Sequence, residues 1–188
     1  QSTGAATIRG RHVHFLGNEW THCGRDAGTS HLYHVLYSSS VRDVLDPPDE
    51  FDREIAFNYF HGNGGTNAVH IFSLGNSSAP NDQARMLGHH VHHNAIVDQQ
   101  ADGIQISHPK KTVLWPAPTG EELPNYVHHN VCIRCSGLAI NFRGGEDDAT
   151  YGYQNTGSDC GNPATHQQNG SLYFIGKEIV TWFSDKFL

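Results

Sequence analysis

The chain is short of several things at once. Its 188 residues include one methionine, and no apolar run approaches the ~18 residues that a membrane-spanning helix needs. A secretory leader is lacking too, so Gln1 reads as a mature end after cleavage or as the start of a piece of a longer chain. Positive charge is scarce: 12 Lys and Arg against 19 Asp and Glu give a formal net charge of -7 with His neutral. That balance argues against nucleic acid as a main partner, because phosphate binding needs a basic face. Hydrophobic residues make up only 37%, and the mean hydropathy is -0.51. A lean core and this length suit one domain, 1–188, rather than two. Four cysteines, Cys23, Cys132, Cys135 and Cys160, allow at most two disulfides.

What is present is glycine, 20 residues, and histidine, 15 residues. The glycines and the single methionine point away from a helical bundle and toward turns and strands. The histidines make the net charge sensitive to pH between about 5 and 7.5. Two glycosylation-type sequons begin at Asn76 and Asn169, and with the cysteines they lean toward an extracellular or cell-surface glycoprotein.

Order in the chain comes from a repeat. The segment 88–107, GHHVHHNAIVDQQADGIQIS, reads as a strand, a corner at Asn94, a short strand, a polar turn and a third strand. The pattern returns at 126–142 as YVHHNVCIRCSGLAINF, and weaker copies stand at 55–72, 13–37 and 173–182. Aligned on the corner, the copies place Asn18, Asn58, Asn94, Asn130 and Lys177 in one column, spaced by 40, 36, 36 and 47 residues. A bare turn of such a coil takes roughly 20–25 residues, so the excess is expected in loops at 38–53, 74–87, 108–125 and 143–170.

Three residues before the corner the column is Phe15, Ile55, Val91, Val127 and Phe174; two after it, Trp20, Phe60, Ile96, Cys132 and Ile179. Both are apolar throughout, as inward positions require. The third strands are expected to stack Val69, Ile104 and Leu138 in one column and Ile71, Ile106 and Ile140 in another. A stacked Asn column also has a physical reason, since a side-chain amide both donates and accepts at a tight bend. The expected architecture is an all-β, right-handed parallel β-helix of about five turns, with long loops between them.

On these residues the sequence resembles the right-handed parallel β-helix superfamily, the pectate-lyase-like fold. HHVHHNAIV…DGIQIS and NYVHHNVCI…SGLAINF match its short repeat, aliphatic-x-x-Asn-x-aliphatic followed by Gly-Ile-x-Ile. HVLYSSS resembles its common His-Gly-Ile-Tyr-Val-Ser turn. The resemblance covers about residues 11–182 and is specific for fold. It implies a polysaccharide or glycan as partner and lyase-like sugar chemistry, often with calcium held by clustered acids. Asp98 and Asp102, or Glu146, Asp147 and Asp148, could offer such oxygens, although an acidic loop with Gly also suits plain solvated surface. Of the Asn-x-Asp, Asp-Asp, Gly-His-Gly and Arg-Ile-Lys series of polygalacturonase-like hydrolases, only Asp147-Asp148 and Gly88-His89-His90 are echoed, out of order. The Tyr-Gly-x-Asp-Pro-His signature of alginate epimerases is absent.

Candidate chemistry sits on the outward positions of the first strand. Adjacent turns of a coil lie about 4.8 Å apart, so His90, His92, Tyr126 and His128 should form one exposed patch with Glu54 one turn away. His offers a general acid or base near neutral pH, Glu a second proton-transfer group and Tyr a stacking surface for a sugar ring. A His/Tyr ladder that merely tolerates exposure accounts for the same residues. His90, His92 and His128 also have the i, i+2 and next-turn spacing of an open three-ligand site for a divalent metal, calcium or zinc. A lyase needs cations to neutralise a uronate; Lys110, Lys111, Arg134 and Arg143 are available, and each also suits ordinary surface charge.

Cys132 falls in an inward column and reads as a small core residue, whereas Cys135 and Cys160 could staple the 143–170 loop to the coil. A second function class is structural. Open coil ends invite head-to-tail stacking into filaments, with Phe15 and Trp20 packing under Phe174 and Ile179 of the next copy.

Overall fold

The structure is a computed structural model, and it describes residues 5–8, 10, 12–24, 33–40, 52–73, 88–107, 125–143 and 150–161. Fifteen strands follow one another without a helix among the described residues: β1 (Ala6–Ile8), β2 (Val13–Leu16), β3 (Glu19–Thr21), β4 (His34–Ser40), β5 (Arg53–Ala56), β6 (Tyr59–His61), β7 (Asn67–Ser73), β8 (His89–His92), β9 (Ala95–Val97), β10 (Asp102–Ser107), β11 (Asn125–His128), β12 (Val131–Ile133), β13 (Ile140–Arg143), β14 (Thr150–Tyr153) and β15 (Thr156–Ser158). Every third strand pairs in parallel, giving three five-stranded sheets: β2-β5-β8-β11-β14, β3-β6-β9-β12-β15 and β1-β4-β7-β10-β13. We call these the entry, middle and exit sheets. The chain is a parallel β-helix of about five turns. Among the described residues no helix is long and apolar enough to cross a membrane.

Left-handed backbone positions mark two corners in all five turns, and His12, Asp52 and Gly88 repeat the conformation just before three of the entry strands. Between entry and middle strands they are Gly17, Phe57, His93, His129 and Gln154; after the middle strand they are His22, Gly62, Asp98, Arg134 and Asp159. A non-glycine residue in that region costs about 1–2 kcal/mol, and the asparagine ladder beside the first corner offsets it. Asn18, Asn58 and Asn94 each donate backbone N–H and side-chain Nδ2 to the Oδ1 of the asparagine one turn on, at 2.9–3.1 Å. Asn130 does the same to Asn155 at 3.0 Å. The Nδ2 groups of Asn58, Asn94, Asn130 and Asn155 also donate to the backbone carbonyls of Phe15, Ile55, Val91 and Val127. Asn58, Asn94 and Asn130 are buried, which is where satisfied amides are worth most.

The apolar columns fill the lumen as the repeat requires. Phe15, Ile55, Val91 and Val127 pair in register, as do Trp20, Phe60, Ile96 and Cys132. Trp20 stacks on Phe60 with centroids 6.2 Å apart.

Two sequence expectations are corrected. Ile104 pairs with Ile140 and Ile106 with Phe142, so the expected partners Leu138 and Ile140 are each two residues early. The reason lies in the polar turn, where Asp102 Oδ1 accepts from the Leu138 N–H and Asp102 Oδ2 from Asn141 Nδ2. These bonds hold residue 138 beside Asp102, before the strand begins. The fifth turn, in addition, is built by β14 and β15 inside the segment expected to be a loop, 143–170. Asn155 is its corner, 25 residues after Asn130. Its inward positions are Gly152 and Gly157, because Phe142 and Ala139 already occupy the space a Cβ would need. The copy expected at 173–182, with Phe174, Lys177 and Ile179, lies outside the described residues. The segments 41–51, 74–87, 108–124 and 144–149 all join an exit strand to the next entry strand, and in the first turn a further long connection, 22–33, joins β3 to β4.

Candidate functional site

Outward positions on the entry strands form two columns along the coil axis. One runs His14, Glu54, His90, Tyr126, Tyr151, and the other Leu16, Ala56, His92, His128, Tyr153. The structure therefore brings Glu54, His90, His92, Tyr126 and His128 together as their spacing implied. His92 stacks on His128 with centroids 4.9 Å apart and rings 2° from parallel, and His128 stacks on Tyr153 at 4.7 Å. In the neighbouring column His90 meets Tyr126 at 5.2 Å and Tyr126 stacks on Tyr151 at 5.7 Å. Tyr151 and Tyr153 belong to the unforeseen fifth turn and extend both columns.

Glu54 is the hub of the polar end. Its carboxylate accepts from His14 Nδ1 at 2.8 Å and from His92 Nε2 at 2.9 Å. The His14 bond above all holds its pKa below the usual carboxylate range, against partial burial. An ionised carboxylate only accepts, so a neutral His92 carries its proton on Nε2 and presents Nδ1 as an acceptor. His92 Nδ1 lies 2.9 Å from His93 Nδ1, which then donates. The result is a chain from His93 through His92 to Glu54, with a carboxylate orienting an imidazole as a general base requires.

The first corner adds residues that the sequence reading had passed over. His93 and His129 occupy left-handed positions (φ 52° and 53°), and their rings stack 4.8 Å apart, 2° from parallel. His128 Nδ1 lies 2.8 Å from His129 Nδ1. Among the described residues, the His, Cys, Asp and Glu groups whose ligating atoms converge within 4.8 Å are His93, His128 and His129. That triplet shares His128 with the set expected for a metal, but His90 and His92 are not in it. Burial first, and then the neighbouring imidazoles, push the His128 pKa down to about 4 and lower that of His93. The signal was present in the sequence as the doublet His-His recurring 36 residues on, at His92-His93 and His128-His129.

Of the expected cations, the side chain of Arg134 is described, and it lies away from this patch. Arg143 closes β13 on the exit sheet, with its side chain outside the described residues, as are Lys110 and Lys111 entirely. Arg134 sits at the second corner in a bidentate pair with Asp98, at 2.6 and 2.9 Å. Asp102, offered as a calcium ligand, instead holds the polar turn.

A second polar cluster, on the outer face of the exit sheet, had no counterpart in the sequence reading. Val69 and Ile71 face the core, so His70 faces out, yet it is buried. His70 bonds His34 at 2.9 Å and Ser107 at 3.1 Å, Gln105 donates to Ser107 at 2.6 Å, and Asn67 donates to Gln105 at 2.8 Å. Burial pushes the His34 pKa down to about 4. These groups satisfy one another, which is what buried polar side chains must do.

Cys23, Asn63, Gln99, Cys135 and Cys160 share the inward column after the second corner, and all four cysteines are free thiols. Cys160 Sγ accepts from the Cys135 backbone N–H at 3.3 Å. Cys160 lies in the fifth turn, so a bridge to Cys135 would join two turns rather than anchor a loop.

Comparison with protein-family models, with curated proteins and with solved structures gives no match for this chain.

Proposed function

We propose that this is an extracellular glycan-binding β-helix of the pectate-lyase-like superfamily, holding an extended polysaccharide along the entry sheet. One observation carries the reading: among the described residues, the exposed large hydrophobics, Leu16, Phe57, Tyr59, Tyr151 and Tyr153, all lie on the entry sheet, its corner or the adjoining start of the middle sheet. Exposed aromatics grouped on one face mark an interaction surface. Their surroundings are polar, with the rings of His90, Tyr126 and His128 in contact along the two columns, so the partner they suit is an amphipathic chain with apolar ring faces and many hydroxyls. A sugar polymer has that chemistry. Its length would run with the axis, where rings repeat at 4.7–5.7 Å.

Binding is favoured over lyase cleavage on this face. Elimination from a uronate needs a base to take the proton beside the carboxylate and a cation to hold the carboxylate. His92, oriented by Glu54, supplies the base. The two outward columns contain no Lys or Arg.

Affinity electrophoresis through gels containing pectate, alginate or neutral glucans tests the reading. Retardation is expected in at least one gel, with about a tenfold loss of affinity for Tyr151→Ala if that ring contributes about 1.4 kcal/mol. Unchanged mobility in all gels would overturn it, as would equal retardation of a Tyr126→Ala/Tyr151→Ala protein. An ultraviolet-absorbing unsaturated product from a uronate polymer would show that cleavage occurs as well.

A further inference from the structure

We propose that His93, His128 and His129 form a binding site for one divalent transition-metal ion of the zinc, copper or nickel type. The three side chains bring ligating nitrogens within 4.8 Å of one another, and the His128 and His129 Nδ1 atoms are already 2.8 Å apart. Imidazole nitrogens bound at 2.0–2.1 Å to one ion stand about 2.9 Å apart at a right angle and about 3.4 Å apart at a tetrahedral angle. His93 is the exposed member, and closing the remaining gap requires its ring to turn out of its stack with Phe57 and His129.

The corner itself does not require histidine. The same left-handed position is filled by Gly17, Phe57 and Gln154 in the other turns. Two imidazoles in succession, stacked at 4.8 Å and each followed by a ladder asparagine, therefore exceed what the backbone asks for. The surroundings also hold the ligands in place. His128 is clamped between His92 and Tyr153, at 4.9 and 4.7 Å. His93 contacts His92, which Glu54 in turn anchors through Nε2.

The donor set decides the class of ion. Three imidazoles and no carboxylate oxygen suit zinc, copper and nickel; calcium and magnesium take oxygen ligands. Three protein ligands on an outward corner leave a coordination position open to water or an incoming group. The site does not depend on the glycan reading, because it is tested without any glycan.

Calorimetric titration of the untagged full chain with zinc chloride, at pH 7.5 in a non-coordinating buffer, is the decisive experiment. One ion per chain with micromolar affinity is expected, and calcium chloride should give no saturable heat. His93→Asn and His129→Asn should each weaken zinc binding at least tenfold. Asparagine tolerates the left-handed corner, so the coil persists; a thermal melt of each variant checks this. His61→Gln, on the middle sheet, should leave the affinity unchanged. In the wild-type protein, sub-stoichiometric nickel should broaden the ring resonances of His93, His128 and His129 before those of other histidines. Absence of saturable zinc heat would overturn the proposal. So would affinity unaltered in a His93→Asn/His129→Asn protein, an equal loss in His61→Gln, or nickel broadening spread evenly over all histidines.

Discussion

Replacing Asn94 by alanine should cost about 4 kcal/mol of stability, and the number follows from what its amide touches. Asn94 is fully buried. Its Oδ1 accepts from the Asn58 N–H at 3.1 Å and from Asn58 Nδ2 at 3.0 Å, and its Nδ2 donates to the Ile55 carbonyl at 2.8 Å and to Asn130 Oδ1 at 2.9 Å. Asn130 Oδ1 keeps a second donor, the Asn94 backbone N–H. The substitution therefore strands the Asn58 N–H and one proton of Asn58 Nδ2, whereas the Ile55 carbonyl keeps the His92 N–H of the parallel ladder. Each stranded buried group costs roughly 1–3 kcal/mol, so the two together come to about 4 kcal/mol. Asn94→Asp is the sharper control: a carboxylate still accepts both bonds from Asn58 but cannot donate, and it meets Asn130 Oδ1 acceptor to acceptor. It should be nearly as destabilised at pH 7.5. Asn18→Ala, at the end of the ladder, should cost less than about 1 kcal/mol, because Asn58 Oδ1 retains the Asn18 backbone donor. Urea denaturation of the three variants, read as a change in midpoint at constant slope, gives the values. An Asn94→Ala protein no less stable than Asn18→Ala would refute the ladder as the source of corner stability.

Stability should also fall steeply in acid. Burial, and then the nearby Arg53 guanidinium, push the His89 pKa down to about 3, and burial pushes His34 down to about 4. In the unfolded chain both bind a proton near pH 6.5, so between there and their folded values the unfolded state holds more protons, and stability drops as pH falls. From pH 6.5 to pH 4.5 the two together should remove on the order of 5 kcal/mol; urea midpoints across that range that stay flat would refute the assignment. Gly103→Ala should destabilise by about 3 kcal/mol through overpacking. Its Cβ would stand 2.5 Å from the Ala139 carbonyl oxygen and 2.8 Å from Cys132 Sγ. A melting temperature within a degree of wild type would contradict that geometry.

Much of this was legible in the chain because a coil writes its geometry as a period. The corner asparagines Asn18, Asn58, Asn94 and Asn130, the lumen columns and the outward His/Tyr columns could be read from spacing. In a parallel stack, equal offsets from a corner mean direct contact one turn away. The offset of ten residues from Asn94 to Ile104 recurs from Asn130 to Ile140. The Gly-Leu-Ala-Ile stretch imitated Gly-Ile-Gln-Ile two residues too soon. The fifth turn was hidden for a related reason: its lumen positions are glycines, and a search for apolar columns passes over Gly152 and Gly157.

What the sequence by itself determined was the coil and the side of it on which His90, His92, Tyr126 and His128 stand, since both depend on residue types at fixed intervals. Tertiary structure alone decided which histidine nitrogens converge. The left-handed corner turns His93 and His129 out of the strand alternation and beside His128, and no periodicity of two records that. It also decided that His34, His70 and Ser107 are buried partners of one another, because their contacts cross turns at the strand whose register the intervening segments displace.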